Sequence, residues 1–355
     1  MQADTKQNFN FIDTIRCISM MGIVWEHSSR VSIYAYTDNT SLFVQYFSVQ
    51  LFKFSTVAFF LIAGFLINHK FQEYSATQYL KNRYKNTVKP WLFWVIIFVL
   101  ITIIDRLFAW HRGTDVGILF TNFPLYFYKL MEMILFFSPY WFILNFLLCI
   151  TILLIFKRYL YKKWFGALLG TITLVYSINL YYRWFETTHS AALFGFVFFL
   201  WLGVYLNKYF EEFKNFVYNL SWTYIGLGLL ITLAASMSEA FYLANSGLKD
   251  AYNTLRITNL LYSLIVFVAL FKIGSIRVLN ALKPRQTTFG IYLIHFIILE
   301  RGMPLIFQPL QVDFDQLNIW TNTGIIVLRF LLAYVISLYL TKFLCKTKLK
   351  WTVGQ

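Results

Sequence analysis

Arg16 and His27 stand eleven residues apart in the stretch FIDTIRCISMMGIVWEHSS, residues 11–29. On a helix turning ~100° per residue, that spacing closes about three turns, so both side chains leave one face, ~16 Å apart along the axis. Imidazole titrates near neutrality and can take a proton from a hydroxyl, which suits His27 to general-base work. A guanidinium is a permanent cation with a fork of donors, which suits Arg16 to holding an anion. Asp13 lies three residues before Arg16, within reach of an ion pair that would brace it. Glu26 points ~100° away from its neighbour His27, so a simple Glu-His dyad is disfavoured and Glu26 is left without a role. The bland alternatives are a histidine hydrogen bonded near an interface and an arginine that snorkels; their shared face weighs against both.

The elements that must position this pair are membrane helices. The 355 residues are 59% hydrophobic and 13% charged, with a mean hydropathy of +0.59, too apolar for a soluble domain of this size. Windows of ~20 apolar residues fall near 12–30, 46–68, 90–108, 140–156, 164–182, 190–206, 221–241, 256–273, 287–305 and 323–343. This predicts an all-α, polytopic membrane protein of about ten transmembrane helices, folded as a single domain over 1–355. PLYFYKLMEMILFF, residues 124–137, reads as an interfacial or re-entrant segment. The first span reads as a retained helix rather than a signal peptide, because no small-residue cleavage site precedes it.

Charge sets the orientation. The chain carries a net +15, but of its 31 Lys and Arg, 20 fall on the side that includes both ends of the chain and eight on the other. Both termini are therefore expected in the cytoplasm, and the basic balance records topology rather than a nucleic-acid partner. Arg16, Lys53 and Arg329 remain inside spans, where a charge costs roughly 2.5 to 3.5 kcal/mol. Lys53 and Arg329 lie close enough to span ends to snorkel. Cys17, Cys149 and Cys345 show no metal-ligand spacing and read as buried thiols, so no metal site is expected. His69, His111 and His189 show no usable pattern.

With these residues in view, FIDTIRCISMMGIVWEH resembles the opening helix of the acyltransferase 3 family of integral-membrane O-acyltransferases, whose pattern is Asp, Arg, ten residues, then His; here Asp13, Arg16 and His27. Further landmarks follow in the family's order. STVAFFLIAGFLI (55–67) resembles its second-helix motif, YLKNRYKNTVKPWLFW (79–94) its basic segment ending in Pro, PYWFILNFLL (139–148) its Trp-Phe motif, and TFGIYLIHFII (288–298) its Tyr-Leu-x-His motif. Three positions depart from it. Ala63 stands where Ser is common, Asn86 where a second arginine often follows Arg83, and Glu26 where an apolar or aromatic residue is usual.

The resemblance implies transfer of an acyl group, usually acetyl, from cytoplasmic acyl-CoA as co-substrate to a hydroxyl of an extracytoplasmic or lipid-linked saccharide, in a bacterial plasma membrane. In that reading Arg16, Arg83, Lys81 and Lys85 hold CoA phosphates, and the pantetheine arm follows the first helix toward His27. His27 deprotonates the acceptor or, as a lesser alternative, carries the acyl group. Trp141 and Tyr292 are candidates to line the site, and His295, one helical turn after Tyr292, is either a buried structural histidine or a second site residue. No appended esterase-like domain is expected, so the membrane domain must handle the acceptor. The competing reading is a polysaccharide exporter or flippase, since that assignment has also been made within this family. An ion-coupled transporter would need carboxylates at mid-membrane or paired broken helices, and the acids lie almost wholly in loops and at span ends.

Overall fold

A computed structural model describes residues 9–29, 36–73, 75–114, 116–188, 190–248, 250–307, 309 and 316–355. Lys6, Arg30, His189 and Lys249 lie outside these residues, as do the side chains of His69 and Lys70. Among the described residues the chain is helical and contains no strand. Its helices are α1 (Asn10–Ser28), α2 (Asn39–Gln50), α3 (Ser55–Glu73), α4 (Ala76–Arg83), α5 (Lys89–His111), α6 (Phe123–Phe136), α7 (Trp141–Ile155), α8 (Lys163–Tyr182), α9 (Val197–Lys208), α10 (Phe210–Asn219), α11 (Trp222–Asn245), α12 (Ile257–Ile273), α13 (Arg277–Asn280), α14 (Pro284–Ile297), α15 (Met303–Phe307) and α16 (Ile319–Leu344).

Among the described residues six stretches are long and apolar enough to cross a bilayer: Asn39–Asn68, Thr77–His111, Lys163–Tyr182, Trp222–Asn245, Pro284–Phe307 and Ile319–Leu344. α6 and α7 together are also long and apolar enough but are bent by 65°, a broken span or a re-entrant pair, and the segment expected to be interfacial or re-entrant is its first limb. α1 is 19 residues long but carries Asp13, Arg16 and Glu26. Its buried residues, among them Ile12, Ile15, Met20, Val24 and Ser28, occur all around its circumference, as expected of an inner helix. It packs against α3, α12, α14 and α16. The element bearing the candidate chemistry is thus surrounded by protein.

The helix within the span expected at 190–206 is shorter than that window: it begins only at Val197 and runs for 12 residues, ~18 Å, with irregular turns over 190–196 before it. The preceding turns survive because their polar backbone finds partners within the protein: Asn145 donates to the Ala192 carbonyl at 3.3 Å and Thr173 Oγ1 to the Gly195 carbonyl at 2.8 Å. The basic segment before the third span is also more regular than a loop. It forms α4 and a π-turn, Tyr84–Val88, that leads directly into α5. Pro90 follows this turn and has no N–H for the carbonyl four residues back, a local cause for the widened winding.

α3 and α9 meet through reciprocal glycines. A Cβ on Gly64 would lie 2.0 Å from the Leu200 carbonyl oxygen, and one on Gly203 would lie 2.1 Å from that of Leu61. Small residues let membrane helices approach to backbone contact, which gives Gly64 of the second-helix motif a packing role. Gly203→Val is therefore expected to destabilise the fold by about 1 to 3 kcal/mol or more, read as a lower unfolding temperature in detergent. Gly226→Val, at a site with open space around it, serves as the matched control.

The two remaining intramembrane cations do not snorkel. Lys53 is 7% exposed and pairs with Glu26 at 3.0 Å, which gives Glu26 the partner that its sequence position concealed. Arg329 is 2% exposed, and its Nε donates at 2.8 Å to the Ser28 carbonyl at the end of α1. Each replaces water with a tertiary partner, as a charge at this depth requires. Removing one member of a buried pair strands the other. Lys53→Met should cost about 3 to 5 kcal/mol, while Glu26→Gln combined with Lys53→Met should recover most of that loss in the same unfolding assay.

Candidate functional site

A cavity of about 520 Å³ opens where α1, α3, the π-turn, α7 and α14 converge. Its mouth is basic: Arg16, Arg83 and Arg285 line it, with Asn86 and Thr288 beside them. The expected Asp13–Arg16 ion pair forms at 3.0 Å, and Asp13 also accepts from Arg285 Nε at 2.8 Å. One carboxylate therefore holds two guanidiniums close together against their mutual repulsion, leaving an excess of positive charge at the opening. Arg83 is held separately. Its Nε donates to the Tyr79 hydroxyl at 2.6 Å, and its guanidinium lies 5.8 Å from the centre of the Phe146 ring.

Inward, the wall becomes apolar through Ile23, Phe59, Ile62, Phe142 and Phe289. Tyr292 lines the wall here and donates its hydroxyl to the Pro139 carbonyl at 2.6 Å, while Tyr140 donates to the Leu293 carbonyl at 2.7 Å. These crossed bonds tie α14 to the break between α6 and α7, satisfying backbone that the bend leaves open. Tyr292 thereby acts as a wall and a clasp, with its donor committed to the backbone.

His27 does not itself line the cavity. It follows Ile23, the lining residue of α1 nearest to it, by four residues on the same helix face. Its half-buried ring lies 5.6 Å from the ring of His295 and 6.1 Å from that of Phe296. His295 is fully buried, and its Nδ1 faces two carbonyl oxygens, Tyr292 at 2.8 Å and Ile291 at 3.1 Å. Carbonyls only accept, so Nδ1 carries the proton and Nε2 presents a lone pair. Among the described residues that Nε2 has no hydrogen-bond partner. The structure thus brings Arg16, Arg83 and Tyr292 together on one cavity and places His27 and His295 as neighbours beyond its apolar end.

Other expected site residues are placed elsewhere. Lys81 and Lys85 are exposed on α4 and the π-turn and do not line the cavity. Trp141 is turned into the core against Phe196, 5.5 Å between ring centres, and Phe142 takes the wall position in the Trp-Phe motif. Arg285 was counted only as a topological charge in the sequence, and its place directly after Pro284 at the start of a helix was the available signal. Thr288 and the Gly354–Gln355 segment had no comparable signal. Ala63 and Asn86, two positions that depart from the pattern, both line the cavity.

An all-helical chain with several bilayer-length helices around a basic-mouthed cavity defines a multi-pass membrane protein. Residues 9–341 match the family model described as an acyltransferase domain. The chain therefore belongs to the acyltransferase 3 family and is an acyltransferase, acting between an acyl donor and an acceptor. Neither the curated proteins nor the solved structures yield a match.

Proposed function

We propose that this acyltransferase transfers an acyl group, acetyl in the simplest case, from cytoplasmic acyl-CoA to a hydroxyl of an extracytoplasmic or lipid-linked saccharide. The observation that carries this reading is the cavity itself: a cluster of guanidiniums at its mouth, then an apolar wall along the α1 face that leads to His27. That sequence of environments complements a phosphate-rich head and an extended thioester arm. The orientation belongs to the same proposal. α1, α9, α12 and the bent α6–α7 pair join the six long apolar stretches as ten crossings of a bacterial plasma membrane, with both termini cytoplasmic.

In the proposed reaction, His27 accepts the proton of the acceptor hydroxyl as its oxygen forms a bond to the thioester carbonyl carbon. Collapse of the tetrahedral intermediate breaks the carbon–sulfur bond, and CoA leaves as the thiol by taking the proton back from His27, which returns to neutral imidazole. His295 packs beside the His27 ring, 5.6 Å between ring centres, and its Nε2 lone pair favours the positive charge that His27 gains. Arg16, Arg83 and Arg285 hold the donor at the mouth.

The test is reconstitution of the purified protein into vesicles with labelled acetyl-CoA outside the face bearing Arg16 and Arg285, and saccharide acceptors on either side. Labelled ester on a saccharide supports the reading. Saccharide crossing with no label transferred would instead support export. Asn86→Arg adds a guanidinium to the mouth and is expected to lower the KM for acetyl-CoA severalfold with kcat little changed.

A further inference from the structure

A second cavity shares no lining residue with the acyl-transfer site. It is a groove of about 300 Å³ between α7, α8 and the start of α9, lined by ten residues that include Ile152, Phe156, Trp164, Leu168, Ile172 and Val197. Tyr159 contributes the one hydroxyl among these side chains. From Trp164 to Ile172 the α8 wall extends ~12 Å, enough for a substantial part of an acyl chain.

Cations crowd one end of this groove. Phe156, Tyr159 and Trp164 line it, and their chain neighbours are Lys157, Arg158 and Lys163, with Lys162 in the same short turn. All four basic residues are exposed, and among the described residues none of them forms an ion pair. Lys208 of α9 lies over the ring of Tyr161 in the same turn, 5.5 Å from its centre. No Asp or Glu occurs between Trp141 and Phe185 to offset this charge.

A purely topological cluster needs only a count of Lys and Arg in a loop. Here the cations sit at one end of a preformed apolar groove beside Trp164 and Tyr159, side-chain types that favour the headgroup region. We infer that this groove holds an anionic phospholipid, one acyl chain lying along α8 and the headgroup phosphate resting on Lys157, Arg158, Lys162 and Lys163. The site is independent of the acyl donor cavity and of the proposed reaction.

The test uses the full-length protein purified in mild detergent and exposed to equal amounts of dioleoylphosphatidylglycerol and dioleoylphosphatidylcholine, with retained lipid measured by native mass spectrometry. Wild type should retain phosphatidylglycerol on the order of tenfold more than phosphatidylcholine, with the preference falling as salt rises. Combined Lys157→Gln, Arg158→Gln, Lys162→Gln and Lys163→Gln should erase the preference. Leu168→Trp, which fills the groove without touching a charge, should reduce retention of both lipids. Equal retention of the two lipids by wild type overturns the inference, and that comparison needs no variant to fold. Undiminished retention by a folded Leu168→Trp protein would overturn the groove as the chain's position. Recovery of a lipid-linked saccharide phosphate in place of phospholipid would overturn the assigned occupant.

Discussion

His27→Ala is expected to reduce the rate of acyl transfer by about a hundred- to ten-thousand-fold, the usual contribution of a positioned general base. The KM for the acyl donor should change little, because Arg16, Arg83 and Arg285 line the mouth of the cavity while His27 lies four residues beyond Ile23. That split separates loss of a proton acceptor from loss of binding. The unfolding temperature should remain near that of wild type, since Arg329 still holds the end of α1 through the Ser28 carbonyl. Steady-state transfer with both substrates varied provides the measurement. Retention of wild-type kcat would remove His27 from the reaction and leave the cavity as a binding site only.

Arg16→Gln should raise the KM for acyl-CoA by about ten- to a hundredfold, the range of one lost charge-assisted hydrogen bond of ~1.5 to 3 kcal/mol. Its effect on kcat should be smaller, the opposite pattern to His27→Ala. Asp13 would keep its contact with Arg285, at 2.8 Å, so the carboxylate is not abandoned when Arg16 is neutralised. Arg16→Lys should recover only part of the affinity, since an ammonium keeps the charge but lacks the planar fork that serves Asp13 and a phosphate together. Equal losses in kcat and donor affinity would instead show that Arg16 chiefly holds α1 in place.

The opposite patterns follow from where each residue sits along one helix. α1 carries its cation toward the basic mouth and its imidazole beyond the apolar end, ~16 Å further along the axis. The helices around it fix both ends: Arg285 of α14 joins Asp13 at one, and Arg329 of α16 holds the Ser28 carbonyl at the other. Lys53, in the turn between α2 and α3, closes on Glu26 one residue before His27. The charges that make α1 an unusual membrane segment are therefore also the means by which its neighbours hold it.

What was legible in the sequence was periodic or local. Apolar windows fell on helices along the whole chain, and six stretches among the described residues are long and apolar enough to cross a bilayer, because burying a helix in lipid requires a continuous apolar run. The eleven-residue spacing put Arg16 and His27 on one face, and the three-residue spacing announced the Asp13–Arg16 pair, since both depend only on helix geometry. The tertiary structure decided the rest. Glu26 and Lys53 are 27 residues apart, Asp13 and Arg285 are 272 apart, and no local period couples such positions. The short helix at 197–208 was read as longer because buried turns are as apolar as a helix; only partners such as Asn145 and Thr173 reveal that the backbone there is satisfied in another way. Trp141 and Phe142 are likewise indistinguishable as wall residues until the packing of α7 turns Trp141 against Phe196 and leaves Phe142 on the cavity. Sequence alone determined which residues could do chemistry along α1, because one helix is enough to place them; which other residues join them depended on helices brought together from distant parts of the chain.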